Sequence, residues 1–193
     1  MPNWCNNYLE LEHEDPAMIE RAKAAYADGR LLDEFIPCPK ELHITASPGT
    51  QDADLRAQYD ANIAKFGYST WYEFQVNEWG TKWDVGGDGG ICNEDGPNAV
   101  SMNFDSAWAP PIAAMEKFIE MGFKVKLYYY ESGMCFAGIF DEDGDDYLDY
   151  SDMTADEVEA EINPDLDECM CIVENMRMWE EENEEQEESN ENE

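Results

Sequence analysis

Residues 99–131 read "AVSMNFDSAWAPPIAAMEKFIEMGFKVKLYYYE", and this stretch decides the fold. Its first ten residues set Val100, Met102 and Phe104 against Ser101, Asn103 and Asp105, the period-two pattern of a half-buried strand. Pro110 and Pro111 then open a helix with the apolar stripe Ile112, Met115, Phe118 and Ile119, and Gly122 stops it. "KVKLYYYE" is a second strand, so the stretch is a β-α-β unit.

The N-terminus repeats that opening. "NWCNNYLELEH" (residues 3–13) alternates Leu9 and Leu11 with Glu10 and Glu12. Asp15 is an N-cap, Pro16 suits the first helical position, and Met18, Ile19, Ala22 and Tyr26 form a stripe that Gly29 ends. "LLDEFIPCPKEL" reads as a loop broken by Pro37 and Pro39 that buries Phe35 and Ile36. A helix with Leu55, Tyr59 and Ile63 inward follows. The next is capped at Ser69 or Thr70 and ended by Gly80, with Trp71, Phe74 and Val76 inward. "TKWDV" starts a strand, and "GGDGGICNEDGPN" is a flexible turn region. "GMCFAGIFDE" is a strand, and Asp143-Gly144 signals a hairpin turn into one more.

Split β-α-β units on one face of an antiparallel sheet describe a ferredoxin-like α+β domain over residues 1–150, with an inserted segment at about 41–67. Residues 151–179 form an acidic helical C-terminal extension. It has a capping box from Thr154 to Glu157 and a helix after Pro164 carrying Leu166, Cys169 or Met170, Val173, Met176 and Trp179. Residues 180–193 hold nine glutamates in fourteen positions and no apolar residue, and are expected to be disordered.

The chain has 46 acids and 11 bases, a formal charge of −35. Residues 151–193 hold 18 acids against one base, a charge of −17, so the tail alone does not account for it. Direct binding to duplex nucleic acid is disfavoured, because a phosphate backbone needs a basic footprint. A negative field steers toward basic partners and also keeps a protein soluble. No apolar run approaches the ~18 residues of a membrane span. The N-terminus lacks the basic and apolar regions of a signal peptide, so a cytoplasmic protein is expected. The six cysteines form no C-x-x-C pair. With only His13 and His43 available, no metal site is expected, and Cys5 and Cys135 read as small hydrophobes.

Four stretches occur together: "MPNWCNN", "NEWGTKWD", "FDSAWAPP" and "YYYESGMCFAGIF". In this order they resemble the YubB family of phage- and plasmid-encoded proteins, over roughly residues 1–145. The resemblance implies a ferredoxin-like domain, a mobile-element origin and no established enzymatic activity.

Candidate sites are few. Trp4, Asn6, Trp79, Lys82, Trp83 and Trp108 gather tryptophans around one lysine. Such a cluster stacks a base while its lysine meets a phosphate. Alternatively it is a core built from the largest side chain, and the balance of the residues favours that reading. "VGGDGG" matches no nucleotide fingerprint. Asp141, Asp143 and Asp145 have the first spacings of a calcium loop, but Gly144 and Asp152 sit where that loop cannot use them, so a hairpin is expected. No nucleophile-base pair or catalytic motif occurs, so no catalytic residue and no cofactor is expected. Asp141, Asp143, Asp145, Asp146, Asp156, Glu157, Glu159 and Glu161 form a candidate acidic surface able to imitate a phosphate track in a basic cleft. The expected function is therefore a non-catalytic phage or plasmid accessory protein that binds a host or defence protein with a basic surface. The alternative is a nucleotide- or single-stranded-base-binding module.

Overall fold

A computed structural model describes residues 3–44, 53–87, 90–93 and 96–191. It is a mixed α+β structure built on one antiparallel sheet. The strands are β1 (Trp4–Glu12), β2 (Ile91–Asn93), β3 (Ala99–Ala107), β4 (Lys124–Glu131), β5 (Phe136–Asp141) and β6 (Gly144–Asp149), in the order β2-β3-β1-β4-β5-β6. β1 lies at the centre, with Leu9 opposite Met102 on one side and Leu127 on the other.

The first face of the sheet carries α1 (Pro16–Ala27), α2 (Leu31–Phe35) and α5 (Ile112–Glu120), with α4 (Trp71–Glu78) beside them. Leu9, Leu11, Met102 and Leu127 meet Ile19, Leu31, Leu32, Met115 and Phe118 there, all fully buried. α1 begins as its sequence dictates: the Asp15 side chain accepts the Ala17 N–H at 2.9 Å and Pro16 follows.

Helices were expected on one face only, but they cover both. α6 (Ala155–Glu161), α7 (Pro164–Met170) and α8 (Ile172–Glu191) bury a second cluster against Tyr128, Ala137 and Ile139, using Val158, Ile162, Leu166, Ile172 and Val173. The physical reason is visible in "KLYYYE" and "FAGIF": β4 and β5 are apolar on both faces, and a strand of that kind must be covered twice.

Other expectations change in detail. "LLDEF" is the short helix α2 rather than loop, because Asp84 supplies its first-turn N–H groups with acceptors. In α3 (Ala53–Phe66) the buried residue is Asn62, which donates to the carbonyls of Glu41 and Ser69, while Ile63 is exposed. In α4 Phe74 and Gln75 face inward and Val76 is exposed. "TKWDV" forms no strand. The Thr81 hydroxyl instead closes the β3 edge, donating to the Ala107 carbonyl at 3.1 Å and accepting its N–H at 3.0 Å. β2 lies inside the stretch read as turn. The helix after Pro164 is broken at Cys171, whose φ of 54° is left-handed. α8 continues through residues expected to be disordered, as glutamate and glutamine are good helix formers. Most of the "HITASPGTQDAD" insert, residues 45–52, lies outside the described residues.

Candidate functional site

The C-terminal helices cover β4 and β5 and reach Tyr8 of β1, but leave Trp4 and Asn6 of β1 and Asn103 and Asp105 of β3 exposed on the second face. A groove of about 730 Å³ lies there. Alternation along β1 presents Trp4, Asn6 and Tyr8 to it, and β3 contributes Asn103 and Asp105. Trp83 closes one end, while Cys92 of β2 and Cys169 and Met170 of α7 stand at other walls. Asn6 Nδ2 donates to Asp105 Oδ1 at 2.7 Å, across a directly opposed pair of the β1–β3 ladder.

The tryptophans divide. Trp79 is 1% exposed, packs edge-on against Phe74 and donates its indole N–H to the Ile36 carbonyl at 2.9 Å. It is core, and it leaves the candidate cluster. Trp4, Trp83 and Trp108 are 47%, 39% and 42% exposed. Their expected place in the core is therefore corrected: they form a surface. The Trp4 and Trp83 rings lie 5.7 Å apart at 37°. Lys82 Nζ sits over the Trp83 ring at 4.6 Å and over the Trp108 ring at 5.1 Å. Lys82 thus braces two indoles by cation–π contact instead of reaching out alone.

The loop holding Trp83 is tied to α1 and α2 by hydrogen bonds where it is described. Gly87 N–H donates to the Tyr26 carbonyl at 2.8 Å, and Gly86 lies against the same residue at φ 111°. Asp84 accepts from the N–H groups of Leu32 at 2.7 Å, Asp33 at 2.9 Å and Val85 at 2.8 Å. Burial pushes the Asp84 carboxyl above its ordinary range, and those three donors pull back against that. The Tyr26 hydroxyl in turn donates to the Asn103 carbonyl on β3. One chain of contacts therefore ties α1, α2, the loop and the groove floor together.

Trp108 has φ 70°, unusual for a bulky residue, and its N–H donates to the Asn3 carbonyl at 2.9 Å. The strain sits under an exposed indole. Trp108→Gly is expected to leave folding stability within about 1 kcal/mol, because relief of the left-handed backbone offsets the lost ring contacts. Thermal denaturation checks this.

The acidic candidates are not brought together as one track. Asp145 accepts the Tyr129 hydroxyl at 2.6 Å, and Asp146 accepts from Asn163 at 3.3 Å. As neighbours on β6, these two point to opposite faces. Asp141 accepts the Asp143 N–H in the β5–β6 hairpin, which turns at residues 142–143. Glu157 completes the Thr154 capping box, and Asp156 and Glu159 both pair with Arg177. Glu161 ends α6 exposed. Among the described residues no cluster of His, Cys, Asp and Glu is placed to hold a metal.

Sequence reasoning missed Tyr8, Asp84, Asn103 and Asp105. Asn103 and Asp105 were legible as the polar face of a strand, but which strand lies beside them is a matter of sheet order.

These features define an α+β protein with a tryptophan-lined groove at one end of its sheet. No family model and no curated protein matches the sequence. Among solved structures it is similar to the crystal structure of a protein api92 from Yersinia pseudotuberculosis, of family model DUF1281. That similarity has 12% identity and a TM-score of 0.43, over 78% of this chain and 99% of that one, too loose to carry fold or function.

Proposed function

We propose that this chain is a non-catalytic accessory protein that binds a basic protein partner, of a host or its defences, through the indole surface of Trp4, Trp83 and Trp108. The observation that carries this reading is the exposure of three contiguous tryptophans, one of them on a strained backbone. Exposed tryptophan is the side chain most enriched at interface hot spots. The charge of −35 supplies long-range attraction for a basic surface.

The strand order β2-β3-β1-β4, with α1 and α5 in the two crossovers, supports a ferredoxin-like core extended by β5 and β6. The resemblance of four of its stretches to the YubB family supports a mobile-element setting. Because Asp145, Asp156, Glu157 and Glu159 serve local partners, the binding energy is assigned to the indoles and the acids set the field. Nucleotide binding is the weaker reading: Lys82 is already held by two rings, and phosphate would enter a strongly negative field.

The test is capture of basic proteins by the immobilised chain from lysate, at low and high salt, with Trp83→Ala in parallel. Trp83→Ala is expected to fold normally and to weaken capture at least about tenfold, since hot-spot truncations cost about 2 kcal/mol or more. High salt is expected to weaken wild-type capture. Capture unchanged by both would overturn the proposal. Nucleotides quenching the tryptophan fluorescence, with no protein captured, would favour the alternative.

A further inference from the structure

We infer that the groove between Trp4, Trp83 and Asp105 takes the arginine side chains of an extended basic segment of the partner. This rests on the binding surface proposed above and specifies its occupant.

The first observation is charge. Asp105 stands on the groove floor, its Oδ1 taken by Asn6 Nδ2 at 2.7 Å, and it has no ion-pair partner among the described residues. Glu10 follows Tyr8 on the same face of β1 but lies directly opposite Lys126 of β4, so the acidic charge of the floor is that of Asp105. The second observation is shape and surface. Trp4 and Trp83 stand at one end of the groove, their ring centroids 5.7 Å apart, and Tyr8 continues the aromatic lining. A planar cation that stacks on an indole while its edge meets a carboxylate is a guanidinium. Lysine offers a point charge without a face to stack.

The molecule uses the same chemistry internally: Arg21 lies over the Phe35 ring at 4.5 Å while bonding Glu34 at 2.6 Å.

The experiment titrates the full chain with a short glycine-spaced peptide carrying two arginines, followed by tryptophan fluorescence. Two control peptides replace arginine with lysine or with uncharged citrulline. The arginine peptide is expected to bind at least about tenfold more tightly than either control, and Asp105→Asn to erase most of that preference. Asp105→Asn keeps an oxygen for Asn6 and lies at the surface, so it is expected to fold. Equal binding of arginine and lysine peptides, indifferent to Asp105→Asn, would overturn the inference and leave only diffuse attraction. A partner protein that still binds Asp105→Asn fully but is lost in Trp83→Ala would overturn it too, while the indole surface proposed above would stand.

Discussion

Trp79→Ala is expected to destabilise the protein by about 4 kcal/mol, the scale of a fully buried tryptophan truncation. The melting temperature should fall by about 10 °C for a chain of this size. Two losses combine. The ring leaves a cavity among Phe74 and the other residues of the first core. The Ile36 carbonyl loses its donor at 2.9 Å, where α2 ends. Trp83→Ala, four residues on, removes an exposed ring and should change stability by less than about 1 kcal/mol. Thermal and urea denaturation of the two variants measures the contrast directly. Similar losses in both would mean that Trp83 is structural, and would remove the main support for a binding surface.

Gly86→Ala should cost roughly 3 kcal/mol, the largest expected effect of a single added methyl group in this region. Two causes act together. At φ 111° the backbone is open to glycine and strained for any L side chain. A Cβ there would run into the Tyr26 carbonyl oxygen, with the Tyr26 carbonyl carbon and Cα both at 3.1 Å. These are backbone atoms of α1 and cannot swing aside. The loop must then lift, taking with it the Asp84 carboxylate that caps α2 and the Trp83 ring beside Trp4. The expected signature is a lowered melting temperature together with altered tryptophan fluorescence and loss of captured partner. Gly67→Ala is the control: at φ 83° it carries the backbone penalty, but no atom lies within 4 Å of its Cβ, so only about 1 kcal/mol is expected. Equal effects at both glycines would show that the loop is not held against α1.

Much of this architecture is written in local pattern. Alternation in residues 99–108 and the stripe at Ile112, Met115 and Phe118 give β3 and α5 directly, because period two and period 3.6 are properties of the backbone itself. Asp15-Pro16 and the Thr154–Glu157 box mark helix starts for the same reason: the donors they satisfy lie within three residues. Composition likewise showed that any partner surface must tolerate a charge of −35.

What the tertiary structure alone decided is which tryptophan faces where. Trp79 and Trp83 stand four residues apart in one motif, yet one is core and the other surface, because Trp79 caps the end of α4 and the chain then reverses at Gly80. No local period spans such a reversal. The pairing of Asn6 with Asp105 joins residues 99 apart, and only the placement of β1 beside β3 makes it. Coverage of the second face was hidden for a related reason. The apolar runs of β4 and β5 announce burial on two sides, but the helices that supply it come from the far end of the chain and leave part of the second face of β1 and β3 uncovered. That uncovered part of the sheet is the groove. Its existence depends on where the C-terminal helices stop, which is a matter of packing between distant segments rather than of any one segment's own preference.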